Sequence, residues 1–309
     1  FNKPESKVRT LSESIERYQK EVLPNLKDHS NRSYHLAWWT DEIGFKVLAD
    51  IRASTISECR EKLRRTPSDS GRHKGKIRSD ATINRYLASL SALLSIAVRE
   101  WGWLEKNVCK NVRRAKESRG RVRFLSDQEL SDLRRACVSS KLPELNIIVL
   151  VAMTTGARRG EIMNLRWRHM DLQSKKITLV DTKNGETRTV PLAGPALEVV
   201  QHWAKIRSID ENSYIFPGNT ESTKDKPIEF DKAWRDALKL AKITDFRFHD
   251  LRHTAASYLA MTGTGILEIG DILGHKSLDM VLRYSHLCED HKTAAVERMV
   301  AAKFGNSAP

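Results

Sequence analysis

Apolar residues recur at three- and four-residue steps along most of this 309-residue chain. That spacing is the period of one buried helix face, so the chain is predicted to be mostly α-helical. The clearest case is the segment 83–101, with apolar positions Ile83, Tyr86, Leu87, Leu90, Leu94, Ala97, Val98 and Trp101. Further helices are expected at 11–23, 34–39, 56–63, 142–155, 195–206, 230–243, 249–261, 266–273, 277–287 and 292–304.

The period changes at residues 176–192. Two β-branched runs, 176–180 and 187–192, flank Asn184-Gly185, and an Asn-Gly pair between such runs is a strong signal for a tight hairpin turn. The predicted fold class is therefore mostly α, with an N-terminal helical bundle and a second, α-rich domain that carries a small antiparallel β-sheet.

A basic, polar stretch separates the two halves of the chain. Its cations are Lys110, Arg113, Arg114, Lys116, Arg119, Arg121 and Arg123. A segment so poor in apolar residues is more typical of a linker than of a core element. Just beyond it, Ser126 and Glu129 have the spacing of a helix capping box. The sequence thus predicts a helical domain at 1–112, a basic linker at 113–124 and a second domain at 125–309.

The charge balance favours a polyanionic partner. Lys and Arg number 53 against 39 Asp and Glu, and the net charge of +14 opposes compaction but attracts nucleic acid. The linker is either a solvated connector or a segment laid along a phosphate backbone. The candidate DNA contacts, in the loop at 66–79 and in the linker, are Lys74, Lys76, Arg78, Arg121 and Arg123.

Composition limits the other classes of protein. Apolar residues make up 40% of the chain, which suffices for packed cores and excludes wholesale disorder. The longest clean apolar run, 147–153, is far shorter than the roughly 20 residues of a membrane span, so no membrane partner is expected. The cysteines form no Cys-x-x-Cys pair, and reduced thiols in a cytoplasm are expected.

Several cations and histidines of the second half together suit phosphate chemistry. Taken singly they are ordinary, since Arg158 has Glu161 at i+3 as an ion-pair partner and a lysine beside a turn, such as Lys183, is usually solvated. His249 and Arg252 share one helix face. Cleavage of a phosphodiester needs cations for the non-bridging oxygens, a proton donor and a nucleophile. No carboxylate cluster for Mg²⁺ is evident, so protein cations would neutralise the phosphate.

Five ordered motifs resemble those of the tyrosine recombinases of the phage-integrase type. They are TGARRGEI at 155–162, TKNGETRTVPL at 182–192, HDLRHTAAS at 249–257, LGHKS at 273–277 and RYSHL at 283–287. The resemblance covers the second half densely, and the first half only by helical character and length. It implies that residues 1–112 form a core-DNA-binding domain and residues 125–309 a catalytic domain. It also implies that the protein is a site-specific DNA recombinase, which acts through a 3′-phosphotyrosyl intermediate in integration or excision.

The resemblance also implies which residues hold the scissile phosphate. Arg158 and Arg252 would clamp it and stabilise the pentacoordinate transition state. His275 would donate a hydrogen bond to the same phosphate. Glu161 would orient the site from behind these groups.

The remaining implied roles concern proton transfer and bond making. Tyr284 would attack the phosphorus, and Lys183 would protonate the leaving 5′ oxygen. His249 would assist proton transfer to and from the nucleophile. No metal or other cofactor is implied, because the surrounding cations would favour both the phenolate and the charge of the phosphorane. His253 is either a neighbour of the phosphate or a helix-surface residue, and the second is the expectation.

Double-stranded DNA is the implied partner. In this family the terminal helix docks into a neighbouring protomer, and such a one-way contact can close into a ring. We therefore expect a homotetramer on two DNA duplexes, with folding of that helix onto its own domain as the alternative. The resemblance places the protein in a bacterial cytoplasm, associated with the nucleoid. The apolar residues of the terminal helix are Ala295, Val296, Met299, Val300 and Phe304.

Three alternatives remain open from the residues alone. A covalent-tyrosine DNA topoisomerase shares most of this chemistry but relaxes a duplex instead of exchanging strands between two. A non-catalytic helical DNA-binding protein would account for the charge and the helices. A metal hydrolase could use His249, His253 and His275, because the first two have the i,i+4 spacing of ligands, although no carboxylates lie near them in sequence.

Overall fold

Two units make up the chain, residues 1–120 and 121–309. The boundary between them falls inside the basic stretch 113–124. A computed structural model describes residues 4–69, 74–117, 121–180, 187–207, 210–288 and 291–305, without the side chains of 288 and 291–295. Each unit is built around its own apolar core.

The described part of the first unit contains four α-helices whose starts follow from local sequence. They are α1 (Leu11–Glu21), α2 (His29–Ile43), α3 (Ala53–Arg65) and α4 (Asp80–Arg99). Thr10 and Glu13 form a reciprocal capping box at the start of α1. At the start of α4 the Ser79 hydroxyl accepts a hydrogen bond from the backbone N–H of Thr82.

Helix α4 contributes more buried apolar residues to the first unit than any other helix in its described part. The Trp39 indole, fully buried on α2, donates to the backbone oxygen of Tyr86 on α4 at 3.0 Å. By length and composition, α4 is also the one helix in the described ranges that would suffice to cross a membrane. Half of the 18-residue apolar stretch of α4 is buried in the protein. The core helix of a protein that spans no membrane passes the same test of length and composition.

The second unit has nine α-helices in the part that the structure describes. They are α5 (Asp127–Val138), α6 (Glu144–Thr155), α7 (Arg159–Met163), α8 (Gly194–Ile206), α9 (Asp231–Leu240), α10 (Asp250–Met261), α11 (Ile266–Leu273), α12 (Leu278–Leu282) and α13 (His291–Phe304). Ser126 and Glu129 form the capping box expected from their spacing. Helices α6 and α10 pack against each other, and α6 is apolar and buried along most of its length.

A three-stranded antiparallel sheet lies between the helices of the second unit. Its strands, in sheet order, are β1 (Met170–Asp171), β2 (Lys176–Val180) and β3 (Thr187–Pro191). In the β2–β3 register Leu179 lies opposite Arg188. The Asn184-Gly185 turn is outside the described residues. A mostly α fold with a small antiparallel sheet confirms the predicted fold class.

One predicted helix is shorter in the structure. Helix α12 ends at Leu282, and a 3₁₀ turn over Ser285–Cys288 replaces the rest of the helix expected at 277–287. The break places the Tyr284 ring in the interior, where it is 1% exposed, and leaves the Leu278 and Leu282 side chains about half exposed. Burial of a large aromatic ring offsets the helical hydrogen bonds that are lost.

Candidate active site

The end of α6 is joined to α10 by a backbone carbonyl. Gly156 ends α6 in the left-handed region, with φ +62°, and its oxygen accepts a hydrogen bond from Arg252 Nη1 at 2.7 Å. A Cβ atom at this position would overlap Leu273 Cδ2 at the end of α11. Glycine is therefore needed here both for its backbone conformation and for the close approach of α11.

Arg158 and Glu161 form the first part of the site. The Glu161 carboxylate accepts from the backbone N–H of Arg158 at 2.7 Å and from its Nη1 at 2.9 Å. Arg158 Nη2 donates to the Gly274 oxygen at 3.1 Å. Glu161 is 5% exposed, and burial by itself favours the neutral carboxyl. Hydrogen bonds from Arg188 and from the Arg158 backbone outweigh burial and lower the pKa of Glu161 below its ordinary value.

Arg188 is a site residue that sequence reasoning missed. On β3, its Nη1 and Nη2 each donate to one oxygen of Glu161 at 2.8 Å, and its Nε donates to the Ile272 oxygen at 3.0 Å. Gly274 leaves room for it, since a Cβ there would lie 2.9 Å from Arg188 Nη1. The available signal was strand alternation, because Arg188 shares a strand face with the buried Val190.

Arg252 is a buried cation with an unused donor. Only 4% of it is exposed, and its Nη2 has no hydrogen-bond partner among the described residues. Burial, with the nearby charges of Arg158 and Arg188, lowers the pKa of Arg252 to about 9, which still leaves it charged at neutral pH. An anion that reaches Nη2 would satisfy a donor whose isolation is costly.

His249 and His275 are neutral imidazoles near these arginines. Burial, then the charges of Arg252 and Arg158, lowers the pKa of His275 to about 3. Burial and Arg252 also lower the pKa of His249. His275 Nδ1 is buried and lacks a hydrogen-bond partner in the described ranges, so the site holds a second unsatisfied polar atom.

Tyr284 belongs to a small apolar cluster. The cluster is formed by Ala256, Ala260, Ile269, Leu273, Val281 and Tyr284. Burial raises the pKa of the Tyr284 phenol, although the charges of Arg283 and Arg252 oppose that rise. The phenol is therefore protonated at neutral pH in this structure, and it lies within reach of the same arginine charge that acts on His275.

The expectation that His253 is a helix-surface residue is wrong. Its Nδ1 lies 2.5 Å from the Tyr284 hydroxyl oxygen. The period of α10 places positions 249 and 253 on one face. Tyr284 packs against His253 and half-buries it, while His249 stays exposed. Burial of Tyr284 depends on the break after α12, which residue spacing does not reveal.

An open pocket of about 740 Å³ adjoins this cluster. Its lining includes Arg158, His275 and Lys276, together with all five residues of β3, Arg188 among them. The structure thus brings Arg158, Glu161, Arg252, His249, His275 and Tyr284 into one part of the second unit. Lys183 falls between β2 and β3, outside the described residues.

The described side chains contain no group of three or more His, Cys, Asp or Glu that could hold a metal ion. His249 and His253 do lie together, with ring centroids 5.3 Å apart. The charged groups that act on these two histidines and on His275 are mainly arginines. A set of cations of this kind suits an anion better than a metal ion.

The three predicted DNA contacts of the first unit differ in their exposure. Lys74 and Lys76 are exposed. Arg78 is 8% exposed and donates to the Thr66 and Pro67 oxygens at 2.7 and 3.0 Å.

The two linker arginines have partners within the second unit. Arg121 Nη2 donates to Asp250 at 3.0 Å and its guanidinium also contacts Asp245. Arg123 Nη1 donates to Glu129 at 2.9 Å.

Comparison with known proteins assigns the family. The sequence model of the phage integrase family matches residues 123–291, more than half of the chain. The shufflon-specific DNA recombinase of Escherichia coli is 32% identical over 294 residues, covering 92% of this chain and 71% of that protein. Four relatives, three of them phage integrases, are longer, and the chain spans 61–81% of their length.

Two solved structures share the fold. The Tn1549 transposon integrase in complex with a circular intermediate DNA has a TM-score of 0.71 at 18% identity, covering 94% of this chain and 99% of that one. A lambda integrase tetramer bound to a Holliday junction has a TM-score of 0.63 at 20% identity, covering 87% and 78%. With the family match and the recombinase relative, these findings agree on one assignment: the chain belongs to the phage integrase family of tyrosine site-specific recombinases.

Proposed function

We propose that this chain breaks and rejoins DNA by conservative site-specific strand exchange, with Tyr284 as the nucleophile. The observation that carries the proposal is a buried phenol in the same site as two buried nitrogens that lack hydrogen-bond partners among the described residues. Arg252 Nη2 and His275 Nδ1 lack partners in the described residues, and the charge of Arg252 reaches Tyr284. A scissile phosphate is an anion that both groups would bind.

Arg158 and Arg252 would hold the non-bridging oxygens of that phosphate. Each guanidinium already has a backbone carbonyl partner that fixes its direction, the Gly274 oxygen for Arg158 and the Gly156 oxygen for Arg252. Fixed cations stabilise the charge of a phosphorane without reorganising during the reaction. The protein's own cations would do this work, so we expect no metal or nucleotide cofactor.

Proton transfer completes the chemistry. Lys183, by its place in the hairpin motif, would protonate the leaving 5′ oxygen, and His249 would assist transfers at the nucleophile. The 3′-phosphotyrosyl bond retains the energy of the broken phosphodiester. The strand can therefore be rejoined to a new partner without ATP.

Double-stranded DNA would be bound by both units, largely through phosphates. In the first unit Lys74 and Lys76 are exposed and suited to such contacts. Arg78, Arg121 and Arg123 would reach phosphates only by exchanging their present partners. We expect the protein to act on DNA in a bacterial cytoplasm.

Assembly would depend on α13. All of its described side chains, from 296 to 304, are exposed, so its apolar residues are not covered by the chain itself. Val296, Met299, Val300 and Phe304 are 44–62% exposed. We propose that this helix docks into a neighbouring protomer in a tetramer on two duplexes, an arrangement supported by the lambda integrase tetramer on a Holliday junction.

The test is covalent trapping on a nicked suicide duplex. The DNA site is first selected from a randomised duplex library by binding to the protein, and a nick beside the scissile phosphate then prevents rejoining. Wild type should accumulate a DNA adduct that peptide mapping places on Tyr284. The Tyr284→Phe variant should bind the duplex and form none, whereas equal behaviour of the two proteins would favour the non-catalytic alternative.

Two further arms separate the remaining alternatives. Strand exchange between two differently labelled duplexes distinguishes recombination from relaxation by a topoisomerase. Deletion of the residues after Glu289 should leave binding to one duplex intact and abolish synapsis and exchange. Intact exchange after that deletion would overturn the role of α13.

A further inference from the structure

The reacting atom of the proposed nucleophile has a hydrogen-bond partner that the family motif does not assign. The Tyr284 hydroxyl oxygen lies 2.5 Å from Nδ1 of His253, on α10 immediately after Arg252. The two rings are 6.0 Å apart between centroids. His249, the residue immediately before α10, has its ring centroid 5.3 Å from that of His253.

His253 is placed to be a proton acceptor in its neutral form. Burial is the main reason that its pKa falls to about 4, and neighbouring positive charge adds to the effect. The ionisable groups that face it from α10, from the segment after α11 and from the end of α12 are His249, Asp250, Arg252, His275, Arg283 and Tyr284. Of these, Asp250 is the group that favours the protonated ring, and its influence does not prevail.

We propose that His253 takes the proton of Tyr284 during strand cleavage and returns it during rejoining. In the tautomer that carries its proton on Nε2, Nδ1 accepts the hydroxyl hydrogen bond. As Oη forms its bond to phosphorus, the hydroxyl proton moves to Nδ1 and the bond from phosphorus to the 5′ oxygen breaks. The leaving oxygen takes its proton from a separate donor, so charge and protons balance.

The cleavage reaction requires a base for the Tyr284 phenol, and this requirement supports the assignment of His253. The assignment rests on the proposed function of Tyr284. A phenol whose pKa is raised by burial is a poor nucleophile at neutral pH unless a base removes its proton in the transition state. The neighbouring arginines stabilise negative charge but accept no proton. His253 contacts the oxygen that must lose the proton, which makes it a catalytic residue and not only a support for the ring.

Two variants separate proton transfer from positioning. The His253→Asn side chain keeps a hydrogen-bonding oxygen near the place of Nδ1 but does not accept a proton at these pH values. His253→Ala removes both functions. His202→Asn, at an exposed position on α8, is the matched control. The rate of adduct formation on the nicked suicide duplex is measured for each protein in single-turnover conditions from pH 6 to 8.5.

The His253 variants should differ from wild type both in the cleavage rate at pH 7 and in how steeply that rate depends on pH. Wild type and His202→Asn should cleave at rates nearly independent of pH, because His253 is neutral throughout. His253→Asn and His253→Ala should cleave about 10²–10⁴-fold more slowly at pH 7, the usual contribution of a general base. Their rates should rise about tenfold per pH unit, because cleavage then needs the free phenolate.

Either of two outcomes would overturn the proposal. One is a His253→Asn protein with the rate and pH profile of wild type, which would make the contact purely positional. The other needs no variant: a wild-type rate that itself rises tenfold per pH unit would show that no neutral base assists. A wild type that forms no Tyr284 adduct at any pH would instead contradict the proposed function.

Discussion

Arg188 and Glu161 form a bidentate ion pair in the interior of the second unit. Both distances between a guanidinium nitrogen and a carboxylate oxygen are 2.8 Å. The same carboxylate also binds Arg158. Because the Arg188 Nε is bound to the Ile272 oxygen, the pair joins β3 to the end of α11 and to the start of α7. The direction of Arg158 towards a phosphate therefore depends on a residue that need not touch DNA.

Replacing Arg188 by alanine should destabilise the second unit and slow cleavage. The Glu161 side chain is 3% exposed and that of Arg188 14%. Removing one partner of a buried pair leaves an uncompensated charge, which typically costs about 3–5 kcal/mol. Urea unfolding should show a loss at the lower end of that range, because Arg158 still binds the carboxylate.

Lys224→Ala is the control for Arg188→Ala. Lys224 and Glu221 form an ion pair of the second unit in which both side chains are more than half exposed. Pairs of that kind contribute about 0–1 kcal/mol. Equal losses of unfolding free energy in the two variants would contradict a structural role for the buried pair.

Gly156→Ala should cost more stability than Gly194→Ala, although both glycines have positive φ, +62° and +54°. The left-handed backbone costs an alanine about 1–2 kcal/mol at either position. At Gly194 nothing lies within 4 Å of the added Cβ, whereas at Gly156 it overlaps the buried Leu273. Overpacking typically adds about 1–3 kcal/mol.

The measurement for these glycines is the difference in unfolding free energy between the two variants. We also expect slower adduct formation by Gly156→Ala, because the Gly156 oxygen fixes Arg252. Variants of equal stability and equal rate would show that α11 moves aside without cost.

Periodicity and turn chemistry were sufficient to predict most of the helices and the position of the β-hairpin, because these depend on neighbours in sequence. The capping box at Ser126 and Glu129 is one example. The site was predicted differently, since Arg158, Arg252 and Tyr284 were singled out by ordered motifs and not by periodicity. Their convergence requires three separate segments to meet, which only packing decides.

The residues that were missed or misplaced depend on such long-range contacts. The strand pattern at Arg188 is readable, but its carboxylate partner lies 27 residues away in sequence. His253 has the spacing of an ordinary helical residue, and only the inward turn of Tyr284 after α12 covers it. Burial that depends on a helix ending early cannot be read from residue spacing.

Acidification should destabilise the second unit through three histidines whose pKa values the fold lowers. The pKa of His253 is lowered to about 4 and that of His275 to about 3, and the pKa of His249 is also lowered. The unfolded chain binds protons at these residues below about pH 6.5, while the folded chain does not. Their contribution to stability is therefore complete above that pH and falls as the pH drops towards 4.

Thermal unfolding of wild type and His275→Gln between pH 7 and 4.5 measures this effect. Glutamine does not titrate, so the variant should lose less of its melting temperature over that interval than wild type does. His202→Gln, on the exposed face of α8, should follow the wild-type curve. A His275→Gln curve parallel to wild type would mean that this histidine is protonated equally in both states.

Salt dependence of DNA binding should distinguish Lys76 from Arg78, two cations of one loop. Lys76 is exposed, whereas the Arg78 guanidinium is engaged by the Thr66 and Pro67 oxygens. A phosphate contact contributes about 0.9 to the slope of log K against log salt concentration. Lys76→Ala should therefore reduce the slope by about that amount. Arg78→Ala should leave the slope unchanged and lower the unfolding free energy, because two carbonyls lose a charged donor. An unchanged slope for Lys76→Ala would remove that lysine from the DNA surface.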